Sequence, residues 1–256
     1  MSRPVVFVTG GGRGVGRAIV LRFASAGYAV GVAGRNEAAI AEVAALTVAA
    51  GSESCAVRCD VTEKASVTEA IAKVERALGP IDVLVNNAGI ADSVPFAAMD
   101  DAMWERMLAV NLTGTYYCMR VVLPGMFDRR HGRVINIASV AGRTGFAYTA
   151  AYCASKHGVL GLTRSVAIEA AGKGVTVNAI CPGWVDTDMT RESVARIVRK
   201  TGRSEADAKS AIERMSPQNR LIQPEEVAAL AVFLASPDAH GINGQALTVD
   251  GGELVA

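Results

Sequence analysis

The sequence predicts an α/β fold: one doubly wound parallel sheet of about seven strands, forming a single domain over residues 1–256, with a small helical lid inserted at 188–217. Three observations predict it. Short β-branched runs alternate with longer Ala-rich stretches along the whole chain, the rhythm of a parallel sheet covered on both faces. The first such run passes directly into a glycine-rich turn and then a helical stretch. No low-complexity linker, repeat or break in composition marks a second domain.

Taken in order, Val5 to Thr9 is a short apolar strand, and Val15 to Ala26 has the 3.6-residue apolar period of a helix. Ala29 to Ala33 is the second strand, followed by the Ala-rich helix Glu37 to Ala50. Cys55 to Asp60 and the helix Glu63 to Leu78 form the third pair. Ile81 to Asn86 is the fourth strand, and Met99 to Phe127 a long apolar helix. Arg133 to Ser139 and the helix Tyr152 to Ala171 follow, then the strand Val175 to Cys181. Asp188 to Pro217 breaks the rhythm, being polar and helix-prone with no strand. It leaves the sheet edge where open α/β sheets bind ligands, so it reads either as a lid or as an ordinary surface helical pair. The helix Glu225 to Ala235 and the strand Ala246 to Val249 close the chain. Right-handed crossovers leave the doubly wound order as the first topology to expect.

Composition excludes several classes. Half of the 256 residues are apolar, enough to bury a large core. The longest stretch without Asp, Glu, Lys or Arg is the 13 residues Met107 to Met119, whereas a bilayer needs roughly 20 apolar residues, so no membrane span is expected. With 26 basic and 25 acidic side chains there is no field for holding nucleic acid. Five cysteines without a C-x-x-C pair disfavour a disulfide framework or zinc ribbon, and the apolar run at the N-terminus is too short for a signal peptide. A cytoplasmic location is the expectation. The histidines His131, His157 and His240 are too scattered to suggest a metal site.

The turn Thr9-Gly-Gly-Gly-Arg-Gly-Val-Gly16 lets backbone approach a pyrophosphate closely, with the helix N-terminus attracting the anion. Its spacing is not the usual G-x-G-x-x-G, and a purely structural turn is the alternative. After the second strand comes Gly34-Arg35-Asn36, with no carboxylate until Glu37. NAD sites place an acid there for the ribose 2′-hydroxyl, whereas Arg suits a 2′-phosphate. Arg35, together with Arg13 from the turn, therefore points to NADP(H) rather than NAD(H); solvated surface charge is the bland alternative.

Tyr152 and Lys156 stand at i and i+4, on one helix face. A phenol with a pKa of about 10 needs ~4 kcal/mol of help to ionise near pH 7, expected from the Lys156 ammonium plus an oxidised nicotinamide. Ser139 ends the fifth strand, where its hydroxyl can hold a carbonyl oxygen. Asn111 is a poor choice inside a long apolar helix; it reads either as a solvated helical Asn or as the mark of a local distortion freeing a backbone carbonyl.

These motifs together resemble the short-chain dehydrogenase/reductase family along the whole chain: T-G-x-x-x-G-x-G at Thr9 to Gly16, the acid-apolar pair Asp60-Val61, N-N-A-G at Asn86 to Gly89, the tetrad Asn111, Ser139, Tyr152 and Lys156, and the turn Pro182-Gly183. The resemblance implies a Rossmann-type fold and an NAD(P)-dependent oxidoreductase. It implies cofactor contacts from Gly10, Gly12, Arg13, Gly14, Val15, Gly16, Arg35, Asn36, Asp60, Val61, Asn87, Ala88, Gly89, Tyr152, Lys156, Pro182, Gly183, Val185 and Thr187. By the same resemblance Tyr152 protonates the substrate oxygen, Ser139 orients it, Lys156 binds the nicotinamide ribose, and Asn111 holds a water in the proton path.

The runs His131 to Gly142, Pro224 to Ala228 and Val249 to Gly252 are most similar to those of 3-oxoacyl-carrier-protein reductases and polyketide ketoreductases. Family alignment puts Ser139, Val140, Phe146, Tyr148 and Trp184 at the substrate. The reading is reduction of a 3-oxoacyl or polyketide-type ketone to a secondary alcohol. Its alternatives are a dehydrogenase of a small, cyclic or aromatic secondary alcohol and a non-catalytic cofactor sensor. Arg196, Arg199, Lys200 and Arg203, with no acid among them, would either meet a carrier-bound or CoA-bound acyl group or be exposed helix charge. His157, beside Lys156, is expected to face away from the phenol. Family resemblance also implies a homotetramer paired through the two long helices.

Overall fold

The computed structural model describes residues 3–255, so the expected domain limits at 1 and 256 lie outside the described residues. Seven strands, β1 (Val5–Thr9), β2 (Ala29–Gly34), β3 (Ser54–Arg58), β4 (Ile81–Asn86), β5 (Gly132–Ile137), β6 (Val175–Pro182) and β7 (Ala246–Val249), form one sheet. Their order is β3-β2-β1-β4-β5-β6-β7, and every pairing is parallel. The chain builds outward from β1 through β2 and β3, then returns to place β4 on the other side of β1. That reversal opens a crevice beyond the carboxyl ends of β1 and β4, the place where doubly wound sheets receive ligands.

The alternation of strand side chains divides the core. Val6 and Val8 of β1 face α1 (Gly14–Ser25), α2 (Glu37–Ala49) and α9 (Pro224–Ala235), meeting Ile19, Phe23, Val43 and Val227. Val5 and Phe7 face the opposite way, toward Ile71 and Val74 of α3 (Lys64–Leu78) and Met119 and Val122 of α5 (Gly114–Asp128). Burial on both faces is why these strands read as continuous apolar runs. The same face is completed by α6 (Ala150–Ala171), which buries Ala167 and Ala170.

Three boundaries differ from expectation for identifiable reasons. Asp100 accepts a hydrogen bond from the Met103 amide, so the long helix begins as α4 (Asp101–Leu108) rather than at Met99. Between α4 and α5 the ladder widens to a π-turn over Ala109–Thr113, the distortion that Asn111 suggested. Strand β5 stops at Ile137, because Ser139 turns to cap the short helical turn Val140–Gly142. The polar insertion folds into α7 (Asp188–Thr201) and α8 (Glu205–Glu213), which bury Val194, Ala208 and Ile212 against Leu221. All five cysteines are free, and no described helix is long and apolar enough to cross a membrane.

Candidate active site

The glycine turn is pinned to β4. Thr9 Oγ1 accepts from the amides of Asn87 and Ala88 at 3.0 and 3.1 Å, while Asn87 Nδ2 donates to the carbonyls of Thr9 and Gly10 at 3.0 and 3.2 Å. Gly10 and Gly14 have φ of 65° and 52°, open to glycine without strain. At Gly16 a Cβ would stand 2.1 Å from the Gly10 carbonyl oxygen, so the turn closes this tightly only around hydrogen. The first turn of α1 has no side-chain cap and no acid, leaving its amides free for an anion. Gly12 and Val15 line the same partly open turn, and a Cβ on Gly14 would meet Thr187 Cγ2 at 3.3 Å. The chain after β6 thus forms the opposite wall.

Arg13 and Arg35 are exposed, and neither belongs to an ion pair among the described residues. Glu37, the nearest acid in sequence to Arg35, faces Arg58 at 3.8 Å. Asn36 caps α2 by accepting from the Ala39 amide. Asp60 is committed internally, its Oδ1 accepting from the Thr62 amide and hydroxyl at 3.0 and 2.7 Å. Burial works against its ionisation, but these bonds and the charges of Arg35 and Arg58 hold its carboxyl below the usual range. Val61 is buried beneath Gly114. Pro182 is the last residue of β6 and, with Gly183, turns the chain toward Val185, whose carbonyl accepts from Thr190 Oγ1 at 2.6 Å.

The tetrad gathers at the same edge. Lys156 is 5% exposed, and its Nζ donates to the Ile137 carbonyl at 2.9 Å while lying 5.7 Å from the centre of the Tyr152 ring. Burial pulls Lys156 down to about 8. Among the protein's own groups, burial raises the Tyr152 phenol above its ordinary value, outweighing the hydrogen-bonding interaction with Ser139 that lowers it. The i,i+4 spacing correctly places the ammonium near the ring, but desolvation acts on both groups and dominates.

Asn111 is 1% exposed, which overturns its reading as a solvated helical Asn. Its Oδ1 accepts from the Ile90 amide at 2.9 Å, and its Nδ2 donates to the Ile90 carbonyl and to Ser155 Oγ, each at 3.0 Å. Within the π-turn the Asn111 carbonyl accepts from Thr115 Oγ1 at 2.9 Å. Gly89 separates Asn111 from Lys156: a Cβ there would stand 3.3 Å from Asn111 Oδ1 and 3.6 Å from Lys156 Nζ. Ser155, fully buried and also bonded to the Tyr152 carbonyl at 2.7 Å, escaped the sequence reading. Its position three residues after Tyr152, on the same helix face, was the available signal.

The substrate candidates are less uniform. Val140 is buried and Phe146 half-buried, whereas Tyr148 is 65% exposed with φ of 68° and its carbonyl accepts from the Val94 amide at 2.8 Å. Trp184 packs with Val194 and Leu221 beneath α7 and α8. Arg196 is not a free surface charge: it is bonded to Asp92 and Ser93, leaving Arg199, Lys200 and Arg203 as the exposed cations of that set. His157 points away from the phenol, its Nδ1 within 2.9 Å of the Cys153 carbonyl.

Comparison with known proteins extends this geometry to relatives. A family profile described as Enoyl-(Acyl carrier protein) reductase matches residues 10–253. The chain is 41% identical over 259 residues to an acetoacetyl-CoA reductase of Shinella zoogloeoides, covering 99% of each. It is 36% identical to the granaticin polyketide synthase putative ketoacyl reductase 1 of Streptomyces violaceoruber, covering 98% of this chain and 93% of that one. A crystal structure of an actinorhodin polyketide ketoreductase variant with NADPH superposes with a TM-score of 0.96 at 36% identity, covering 100% of both chains. With the full-length matches, the parallel sheet and the gathered Asn111, Ser139, Tyr152 and Lys156 all in agreement, the chain belongs to the short-chain dehydrogenase/reductase family of oxidoreductases.

Proposed function

We propose that this oxidoreductase uses NADP(H) to reduce a 3-oxoacyl or polyketide-type ketone to a secondary alcohol, with Tyr152 as proton donor. The observation that carries the reading is the Tyr152 phenol, beside Ser139 and the buried Lys156 and held protonated by its burial. Reduction consumes a proton, and this phenol is the group placed to give it. The relatives named acetoacetyl-CoA reductase and ketoacyl reductase, and the NADPH in the actinorhodin relative's structure, support the same substrate class and cofactor.

The residues present fit a phosphorylated dinucleotide. The uncapped start of α1 and the strain-free turn at Gly10 and Gly14 receive its pyrophosphate, and Arg13 and Arg35 its 2′-phosphate. Asp60 stays ionised to meet the adenine, Gly89 clears space beside Lys156, and Thr187 faces the turn from the other wall. The carbonyl carbon of the substrate would receive the hydride that a bound nicotinamide would supply. Ser139 Oγ holds the carbonyl oxygen, and Tyr152 Oη gives that oxygen its proton as the alcohol forms. Lys156 keeps a positive charge near the phenolate left behind and turns its ammonium to the ribose hydroxyls. Asn111 braces the Ile90 backbone and, through Ser155, the helix carrying Tyr152.

A homotetramer is part of the same proposal. Tyr116 on α5 and Ile168 on α6 are 42% and 80% exposed, apolar surface of the kind that pairs helices between subunits. Light scattering at micromolar concentration checks it, and a pure monomer would contradict it.

The reaction is tested by following NADPH and NADH consumption with acetoacetyl-CoA, ethyl acetoacetate and 1-tetralone. At least one ketone is expected to be reduced, with NADPH favoured over NADH by more than about tenfold, the scale of one to two charge-assisted phosphate contacts. No consumption with any ketone would overturn the reductase reading, and a preference for NADH would overturn the roles of Arg13 and Arg35.

A further inference from the structure

The first nine residues of α7 span the crevice. Thr187, at its N-terminus, lies against Gly14 of the cofactor turn on one wall, and Arg196 reaches Asp92 in the loop after β4 on the other. Nine helical residues cover about 13 Å, a distance suited to bridging a substrate mouth. The apolar side of α7 does not make this crossing: Val194, Ile197 and Val198 face α8, Leu221 and Trp184 within the insertion's own cluster. Among the described residues, the side-chain hydrogen bonds that α7 makes outside residues 185–203 are both from Arg196, to Asp92 and, at 3.3 Å, to Ser93 Oγ.

Asp92 is well prepared as the receiver. Arg106 of α4 stands 3.5 Å from its other oxygen, fixing the carboxylate from behind. Two residues earlier, both backbone groups of Ile90 are bonded to Asn111, and two residues later the Val94 amide is bonded to Tyr148. The loop is therefore a fixed post for the Arg196 guanidinium.

We propose that Asp92 and Arg196 form a specificity latch, holding α7 across the mouth and limiting the size of the ketone admitted. The size limit rests on the reductase reading above; the latch itself does not. Arg196 keeps 21% of its side chain exposed and Asp92 42%, so this is a semi-exposed pair that shifts the closed-to-open ratio by about fivefold, not a permanent clasp.

Hydrogen exchange of the full-length protein, followed in peptides covering 188–201, tests the latch without any substrate. Arg196→Gln and Asp92→Asn are each expected to speed exchange in α7 about fivefold, with strand amides unchanged, and the double variant to fall short of the product of the single effects because the Asp92–Arg196 contact is lost in all three. Unchanged α7 exchange, or effects that multiply in the double variant, would overturn the latch. In kinetics, the kcat/KM ratio of 1-tetralone to ethyl acetoacetate is expected to rise about fivefold in each single variant. An equal change for both ketones would overturn the size limit. A parent enzyme that reduces neither ketone would overturn the functional reading instead, while the exchange result still decides the latch.

Discussion

Replacing Asn111 with Ala separates a brace from a bystander. The side chain ties both backbone groups of Ile90 and the Ser155 hydroxyl in a site that is 1% exposed. The substitution leaves those partners underbonded and opens a small cavity, at a combined cost of roughly 3 kcal/mol. For a chain of this length that is a fall in Tm of roughly 6–12 °C. Urea denaturation and calorimetry at one fixed protein concentration read it, since any association of subunits would otherwise shift the midpoint. Ser155→Ala in the Asn111→Ala background should cost about 1 kcal/mol less than it does alone, because the shared bond is already gone. A loss below 1 kcal/mol for Asn111→Ala, or full additivity with Ser155→Ala, would refute the account of Asn111 as the clasp between the β4 loop and α6.

Two further outcomes follow from the geometry of the same site. Gly16→Ala places a methyl 2.1 Å from the Gly10 carbonyl oxygen and 2.5 Å from Asn87 Nδ2, so the turn must open; stability should fall by about 1–3 kcal/mol and NADPH affinity, read by fluorescence titration, by more than about tenfold. Lys156, with a pKa of about 8, is cationic below that pH and loses its charge above it; reductive kcat/KM should therefore be flat from about pH 6 to 7.5 and decline above about 8, and a rise through that range would contradict the role given to its ammonium.

The parts of this site that were legible in the sequence are those carried by local spacing. Tyr152 and Lys156 share a helix face because they are four residues apart, and the strand order follows from alternating apolar runs with short connections. Asn111 was only half legible: its misfit in a helix signalled the π-turn, but its burial depends on Ile90 and Ser155, 21 and 44 residues away. Arg196 looked like one of four uncompensated cations because its carboxylate lies 104 residues earlier, beyond any periodic pattern. The surroundings of Tyr152 were only partly legible for a related reason. The nearness of Lys156 can be read from i,i+4 spacing, whereas the desolvation that raises the phenol comes from the packed site as a whole.

The most direct test of proton donation by Tyr152 is the single-turnover rate of ketone reduction by Tyr152→Phe, with NADPH affinity measured on the same sample. Losing the phenolic proton while keeping the ring, the variant should bind NADPH within about threefold of the parent and reduce the ketone at least ~100-fold more slowly, the lower range for general acid catalysis. Reduction at the parental rate would contradict the account at its centre.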